Sequence, residues 1–135
     1  MSYKIYKNYD NIIKKEYIFG FDLDNTLIKF NLKTDKYELL YDENIIMNIL
    51  NNISKKYNIV IISNQKHNKY DLFEKKILSF LEYFKNKINF SVFVSIKNDM
   101  YRKPNIGLIN IIEKDHNNKI KYYCGDALGR KGDFF

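Results

Sequence analysis

Two aspartates, Asp22 and Asp24, follow directly after an apolar stretch and are separated by a single residue. The stretch, residues 17–21, contains apolar residues and one glycine, which is typical of a strand buried on both faces. In an open parallel sheet, ligands bind beyond the carboxyl ends of the strands. Because residues i and i+2 of an extended chain point to the same side, both carboxylates can address one ligand. An isolated Asp-x-Asp is more often a solvated acidic turn, so the interpretation depends on the later strand ends.

Those later strand and loop ends carry complementary groups, namely Ser63, Lys103 and Asp126. Two acids can share a Mg²⁺ ion, and a third can attack phosphorus to form an aspartyl-phosphate. A hydroxyl and an ammonium can hold the phosphate oxygens while charge redistributes. Singly, the three residues are more often a helix cap, a solvated lysine and a turn former. Together and in this order, they predict a phosphoryl-transfer site.

The elements that must position these groups follow from hydrophobic periodicity. Predicted strands cover residues 17–21, 59–62, 90–95 and 120–124, and predicted helices cover about 42–57, 71–84 and 104–115. Each of the first two helices has apolar residues spaced for one buried face: Ile46, Ile49, Leu50 and Ile53 on the first, and Phe73, Ile77, Phe80, Leu81 and Phe84 on the second. Asp71 is the expected N-cap of the second helix, and Pro104 suits the first turn of the third. Residues 1–15 are expected to form an extra strand or an ordered arm, and residues 27–43 a short hairpin or flap. The β-α-β-α-β-α-β order predicts an α/β fold with a parallel sheet, right-handed crossovers and helices on both faces.

The composition of the 135-residue chain predicts one globular domain, 1–135, with an anionic partner. Its formal net charge of +7 favours nucleic acid, and a lysine-rich coding bias is the competing explanation. Neither a Rossmann G-x-G-x-x-G nor a P-loop pattern is present, so no nucleotide cofactor is expected. No apolar run approaches the length of a membrane span, and no signal peptide is recognisable.

The single cysteine, Cys124, excludes an internal disulfide and indicates a reducing compartment, nucleus or cytoplasm rather than a secreted location. Its place in the last predicted strand suggests a core position. The two histidines, His67 and His116, are expected to be surface residues.

The order of Asp22-Leu-Asp-Asn-Thr, Ser63, Lys103 and Gly125-Asp126 resembles the haloacid dehalogenase superfamily of phosphohydrolases. Longer strings resemble the DNA 3'-phosphatase domains of the polynucleotide kinase 3'-phosphatase family over about residues 16–133. They are FDLDNTLI from residue 21, IISNQ from 61, YRKPNIG from 101, CGDALGR from 124 and, before the first helix, YELLY from 37. The resemblance implies a three-layer α/β/α, Rossmann-like haloacid dehalogenase fold without a large cap domain.

The resemblance also implies roles for individual residues. Asp22 would be the nucleophile that attacks a 3'-phosphate, and Asp24 the general acid that then becomes the general base. Mg²⁺ would be held by the Asp22 carboxylate, the Asp24 backbone carbonyl and Asp126. Ser63 and Lys103 would bind the phosphoryl group.

Four further polar residues in these motifs have less specific roles. Asn64 is placed with the phosphate-binding residues, and with Gln65 it is expected to position its loop through hydrogen bonds. Arg102 and Arg130, the only arginines, would contact DNA phosphates bidentately or orient the acidic cluster.

The spacing of the motifs bears on the substrate, because helices, strands and short loops fill both intervals and leave no room for a lid domain. An uncapped, basic site suits DNA 3'-phosphate ends in strand-break repair, by a protein expected to be monomeric. Two alternatives remain open: a small-molecule phosphomonoesterase acting on a sugar or histidinol phosphate, and an inactive remnant that binds DNA ends. The family's chain continues past the equivalent of residues 131–134, so a C-terminally shortened chain or a minimal natural protein is expected.

Overall fold

The computed structural model describes residues 3–65, 70–97, 99–100, 103 and 107–125. The elements in chain order are β1 (Tyr3–Lys7), β2 (Tyr17–Phe21), β3 (Ile28–Asn31), β4 (Lys36–Leu39), α1 (Glu43–Lys56), β5 (Tyr57–Asn64), α2 (Tyr70–Phe84), β6 (Phe90–Ser95), α3 (Gly107–His116) and β7 (Ile120–Cys124). The helices and strands predicted between residues 17 and 124 are all present, with bounds that differ by a few residues.

The main sheet has five strands in the order β1-β6-β5-β2-β7. The four strands predicted from the sequence run parallel to one another, which confirms a mostly parallel sheet. The fifth strand, β1, pairs antiparallel with β6 and comes from the N-terminal segment that was expected to form an extra strand or an ordered arm. The chain runs outward from β2 through β5 to β6 and returns to place β7 on the other side of β2. The direction of winding therefore reverses at β2, where ligands of such sheets bind.

Helices cover both faces of the sheet. On one face, α1 and α2 bury an apolar stripe against the strands, and the predicted α2 stripe is confirmed in full (Phe73, Ile77, Phe80, Leu81 and Phe84). On the other face, Leu108 and Ile112 of α3 pack against Ile18, Val60 and Phe93. The mixed α/β architecture thus has its core in two layers, one on each side of a nearly apolar sheet.

The helix ends refine the sequence predictions. Asp42 caps α1 by accepting a hydrogen bond from the backbone N–H of Asn44 at 3.0 Å. Ile49 was expected to be buried on α1 but is exposed, because the contact stripe is the narrower set of Ile46, Leu50 and Ile53. Asp71 was expected to cap α2 but lies within it, since the helix begins at Tyr70. The predicted start of α3 at Pro104 lies outside the described residues.

Two segments outside the predicted core elements are ordered as expected. Residues 3–7 form the extra strand β1, and β3 and β4 pair antiparallel as a hairpin between β2 and α1. None of the described helices combines the length and the hydropathy that crossing a membrane would require.

Cys124 and His116 were both placed wrongly by the sequence. Cys124 is exposed, because it ends β7, which among the described strands pairs on one side only, with β2. His116 is 4% exposed, and its ring packs against Phe93 with the centroids 6.0 Å apart. Its Nδ1 is 3.2 Å from the carbonyl oxygen of Ile112, one turn earlier in α3. The other histidine, His67, lies outside the described residues.

Candidate active site

The end of β2 carries Asp22 and Asp24 on a tight turn. The backbone N–H of Asp22 donates to the carbonyl of Cys124 at 2.9 Å, which ties this position to the end of β7. The carbonyl of Leu23 accepts from Leu27 at 3.0 Å, and Asn25 adopts a positive φ of 61°. Asparagine tolerates this left-handed conformation better than most residues. The turn therefore fixes both aspartates at the carboxyl end of the central strand.

Lys103 reaches Asp22 across 81 positions of sequence. Its Nζ donates to Asp22 Oδ1 at 3.2 Å, and the lysine side chain is 3% exposed. The Leu23 N–H donates to the same carboxylate oxygen at 2.9 Å. Removing an ammonium from water is costly unless it is paired, so this ion pair accounts for the buried position of Lys103.

Tyr123 of β7 is the second partner of Lys103. Its hydroxyl accepts a hydrogen bond from Nζ, and its ring centroid lies 5.1 Å from the same atom. The ring can approach because Gly20 lies beneath it: a Cβ at Gly20 would come within 3.1 Å of Tyr123 Cδ1. The glycine of the first predicted strand thus makes room for the side chain that supports Lys103.

Asn64 at the end of β5 fixes the backbone of Lys103. Its Nδ2 donates to the Lys103 carbonyl at 3.3 Å, and its Oδ1 accepts from the Lys103 N–H at 3.1 Å. This reciprocal pair agrees with the expectation that Asn64 positions a loop through hydrogen bonds. A direct contact of Asn64 with phosphate stays a prediction.

Ser63 and Asp24 are joined through Gln65. The Ser63 side chain is buried, and its Oγ accepts from Gln65 Nε2 at 2.7 Å. The same amide nitrogen donates to Asp24 Oδ2 at 2.9 Å. Gln65 is itself anchored by its backbone N–H, which donates to the Ser95 carbonyl at 2.8 Å. The ends of β5, β6 and the β2 turn are therefore linked by one side chain.

Lys76 of α2 contacts Asp24, and the sequence did not predict this ion pair. Its Nζ lies 2.9 Å from Asp24 Oδ1 and 3.1 Å from Oδ2, and the lysine side chain is 6% exposed. Nζ also donates to Gln65 Oε1 at 3.3 Å and lies 4.7 Å from the ring centroid of Tyr37 in β4. The only signal in the sequence was a lysine between Phe73 and Ile77, at the border of a predicted apolar stripe.

The structure thus places five of the predicted site residues at the carboxyl end of the sheet. Asp22 pairs with Lys103, Asp24 is connected to Ser63, and Asn64 joins the two groups. Asp126, Arg102 and Arg130 lie outside the described residues.

A Mg²⁺ ion would bind at the same carboxyl end of the sheet. Among the described residues, no group of three or more His, Cys, Asp or Glu side chains could by itself hold a metal ion. The Asp22 carboxylate is nevertheless an oxygen donor at the strand end, and Mg²⁺ is commonly bound by one or two carboxylates together with water and phosphate. The donor chemistry of this edge therefore fits Mg²⁺, with Asp126 as the third proposed ligand.

Comparison with known proteins identifies the family of this chain. A family model described as polynucleotide kinase 3 phosphatase matches residues 17–135. The chain belongs to this family. One relative in the family is named "Putative bifunctional polynucleotide phosphatase/kinase", from Acanthamoeba polyphaga mimivirus. It is 34% identical over 131 residues, which cover 82% of this chain and 31% of that protein.

A second relative is the "Polynucleotide 3'-phosphatase ZDP" of Arabidopsis thaliana. It is 29% identical over an alignment 152 residues long, gaps included, which covers 92% of this chain and 22% of the plant protein. The chain therefore spans less than a third of the length of either relative. The matched family region begins at β2, so it includes the aspartate turn, Ser63 and Lys103.

Proposed function

We propose that this chain is a polynucleotide 3'-phosphatase that hydrolyses the 3'-phosphate ends of DNA in strand-break repair. Family membership and the names of both relatives support a phosphatase that acts on polynucleotides. The observation that carries the proposal is the contact of the buried Lys103 ammonium with Asp22 at the end of β2. A cation fixed at this point can stabilise a phosphoryl group that is attacked by the neighbouring carboxylate.

In the first step, an oxygen of the Asp22 carboxylate attacks phosphorus and forms an aspartyl-phosphate. The bond between phosphorus and the 3'-oxygen breaks, its electron pair stays on that oxygen, and Asp24 supplies the proton. Lys103 and Ser63 hold the phosphate oxygens as charge moves onto the leaving group.

In the second step, a water molecule attacks the same phosphorus and gives its proton to Asp24. The bond from phosphorus to Asp22 breaks, which releases inorganic phosphate and restores the carboxylate. Asp24 serves as acid and then as base, so each turnover returns both residues to their starting protonation states.

Mg²⁺ would be held by the Asp22 carboxylate, the Asp24 backbone carbonyl and Asp126, and when bound it would neutralise charge on the phosphate. The proposal includes the haloacid dehalogenase fold and a single domain over residues 1–135. Between β2 and α1, the described chain contains a hairpin of two four-residue strands, which is too small to enclose a substrate. Such an open site suits the end of a polymer, held through its phosphate and nearby backbone, where Arg102 and Arg130 are the proposed contacts.

The test is release of phosphate from a 3'-phosphorylated oligonucleotide by the intact chain, with Mg²⁺ and with chelator. The wild-type protein should convert the 3'-phosphate to a 3'-hydroxyl, and chelator should abolish the reaction. Asp22→Asn keeps the side-chain volume but removes the nucleophile, so turnover should fall by at least about 1,000-fold. A thermal melt of the same variant separates loss of catalysis from loss of folding.

Two outcomes would contradict the proposal. Equal or better turnover of sugar phosphate or histidinol phosphate, in direct competition with the oligonucleotide, would favour the small-molecule phosphatase. Binding of DNA ends that weakens steeply with salt, with no phosphate released, would favour the inactive end-binding protein.

A further inference from the structure

The proposed general acid and base, Asp24, has a buried lysine of its own. We propose that Lys76 is a positioning residue for the hydrolytic reaction, which acts by holding the Asp24 carboxylate and the Gln65 amide in their working orientation. The inference rests on the proposed function and assigns a role to a residue of α2 outside the motifs that suggested that function.

The first observation is the asymmetric burial of the pair. The Lys76 side chain is 6% exposed, whereas that of Asp24 is 37% exposed. The ammonium contacts both carboxylate oxygens, at 2.9 Å and 3.1 Å, from the protein interior. The buried ammonium therefore holds the Asp24 carboxylate in place, while part of the carboxylate stays accessible to solvent. A substrate must approach from the solvent.

The second observation is that Lys76 also fixes the orientation of Gln65. Its ammonium donates to Gln65 Oε1 at 3.3 Å, which leaves Nε2 of the same amide to donate to Asp24 at 2.9 Å and to Ser63 at 2.7 Å. Turning the amide by 180° would set its NH₂ group against the ammonium, a contact between two donors. One cation therefore orders both Asp24 and the amide that joins it to Ser63.

The third observation is that Lys76 cannot easily move away. On α2, Phe73 and Ile77 on either side of it are fully buried in the core, so the helix is fixed against the sheet. The ring centroid of Tyr37 in β4 also lies 4.7 Å from Nζ. The hairpin and the helix together hold the ammonium in a fixed position against Asp24.

A purely structural role makes a different prediction. Replacing a buried ion pair with apolar groups of similar volume is often neutral or stabilising, so a buried pair is weak evidence for a contribution to stability. A positioning role, in contrast, predicts a large loss of turnover because small misplacements of a catalytic group cost about 100-fold in rate.

The kinetic test compares Lys76→Met with Lys75→Met, which alters an exposed lysine at the preceding position of the same helix. With a 3'-phosphorylated oligonucleotide, Lys76→Met should lower kcat by about 10- to 100-fold and change KM by less than about threefold. Lys75→Met should keep the wild-type kcat. A wild-type kcat in Lys76→Met, or an equal loss in both variants, would overturn the assignment.

The double variant Asp24→Asn/Lys76→Met decides whether Lys76 acts through Asp24. If it does, the double variant should be within about threefold of Asp24→Asn alone, because the second change removes a partner that is already lost. Multiplication of the two single losses would instead show an independent role and overturn the proposal.

Urea unfolding gives a readout that needs no activity. It compares the wild type, Asp24→Asn, Lys76→Met and the double variant. Asp24→Asn leaves the buried ammonium without its charge partner, so its unfolding midpoint should fall; adding Lys76→Met should raise the midpoint again. Additive shifts in the midpoint would contradict the contact itself.

A wild-type protein without phosphate release would count against the proposed function, whereas an active wild type with an unaffected Lys76→Met would count against this inference alone.

Discussion

The two ends of the main sheet are held together by different chemistry. At the carboxyl ends of the parallel strands, two buried lysines pair with the two aspartates of the β2 turn. At the amino ends, neutral side-chain amides bind backbone groups. Asn8 donates to the carbonyls of Leu81 at 3.2 Å and Ile88 at 2.9 Å and accepts from the Phe90 N–H at 2.8 Å.

Two further asparagines repeat this pattern at the amino ends of β5 and β7. Asn58 accepts from the Lys15 N–H at 3.0 Å and donates to the Ile13 carbonyl at 3.0 Å. Asn118 donates to the Lys15 carbonyl at 3.0 Å. The segment between β1 and β2 is thereby held at the amino ends of β5 and β7 by hydrogen bonds between neutral groups.

The difference indicates a division of roles between the ends. Neutral amide contacts satisfy backbone groups at little desolvation cost, which suits an end that only needs to be stable. Buried ammonium groups carry a larger desolvation cost, and groups of this kind concentrate where a reaction needs fixed charge. Changes at the carboxyl end should therefore reduce turnover, and changes at the amino end should reduce stability.

Among the changes that compare the two ends, the largest effect is expected from Lys103→Met, which keeps an aliphatic stem and removes the ammonium that contacts Asp22. Turnover of a 3'-phosphorylated oligonucleotide should fall by about 100- to 1,000-fold, because one charged contact to the reacting phosphoryl group is lost. The measurement is kcat from phosphate release at saturating substrate. Lys114→Met, at an exposed position of α3, is the matched control. Turnover of Lys103→Met within threefold of wild type would contradict the assignment of catalysis to the carboxyl end of the sheet.

A smaller effect of a different kind is expected from Asn8→Ala. The change leaves the Phe90 N–H and two carbonyls without their side-chain partner, so the free energy of unfolding should fall by about 1–3 kcal/mol. Urea unfolding measures this loss, and Asn11→Ala at an exposed position is the control. The kcat of folded Asn8→Ala should equal that of wild type. A selective loss of kcat would show that the amino end also serves the reaction.

The smallest effect is expected from pH at His116, on the α3 side of the sheet. Burial lowers the pKa of His116, and this outweighs the opposing effects of the Ile112 carbonyl and Asp115; Lys7 lowers the pKa further. The unfolded chain then binds the proton more readily than the folded chain. Stability should therefore fall as pH decreases below about 6.5, by at most about 1.4 kcal/mol per pH unit.

His116→Phe isolates this contribution, because it keeps an aromatic ring beside Phe93 and removes the titrating group. The difference in unfolding free energy between the two proteins should be constant above pH 7 and should shift in favour of the variant as pH falls toward 5. Parallel curves over the whole range would mean that His116 titrates normally in the folded protein.

The elements themselves were determined by local sequence. The short, largely apolar stretches at residues 17–21 and 90–95 are typical of buried strands, and the 3–4 residue spacing from Phe73 to Phe84 specifies one face of a helix. The antiparallel β1 could not be assigned with the same certainty. Its residues alternate weakly between exposed and half-buried positions, and its pairing with β6 depends on a contact more than 80 positions away.

The sequence also predicted which residues could do chemistry, because Asp22, Asp24 and Ser63 follow predicted strands and Lys103 precedes a predicted helix. Only the tertiary structure decided how they are supported. Lys76 lies at the border of an apolar stripe, where a long side chain can reach solvent or turn inward. The Lys76 side chain turns inward because its ammonium contacts Asp24, Gln65 and Tyr37, which belong to three other segments of the chain. The burial of His116 and the exposure of Cys124 were decided in the same way, since burial depends on which neighbours cover a residue, and periodicity specifies only its face.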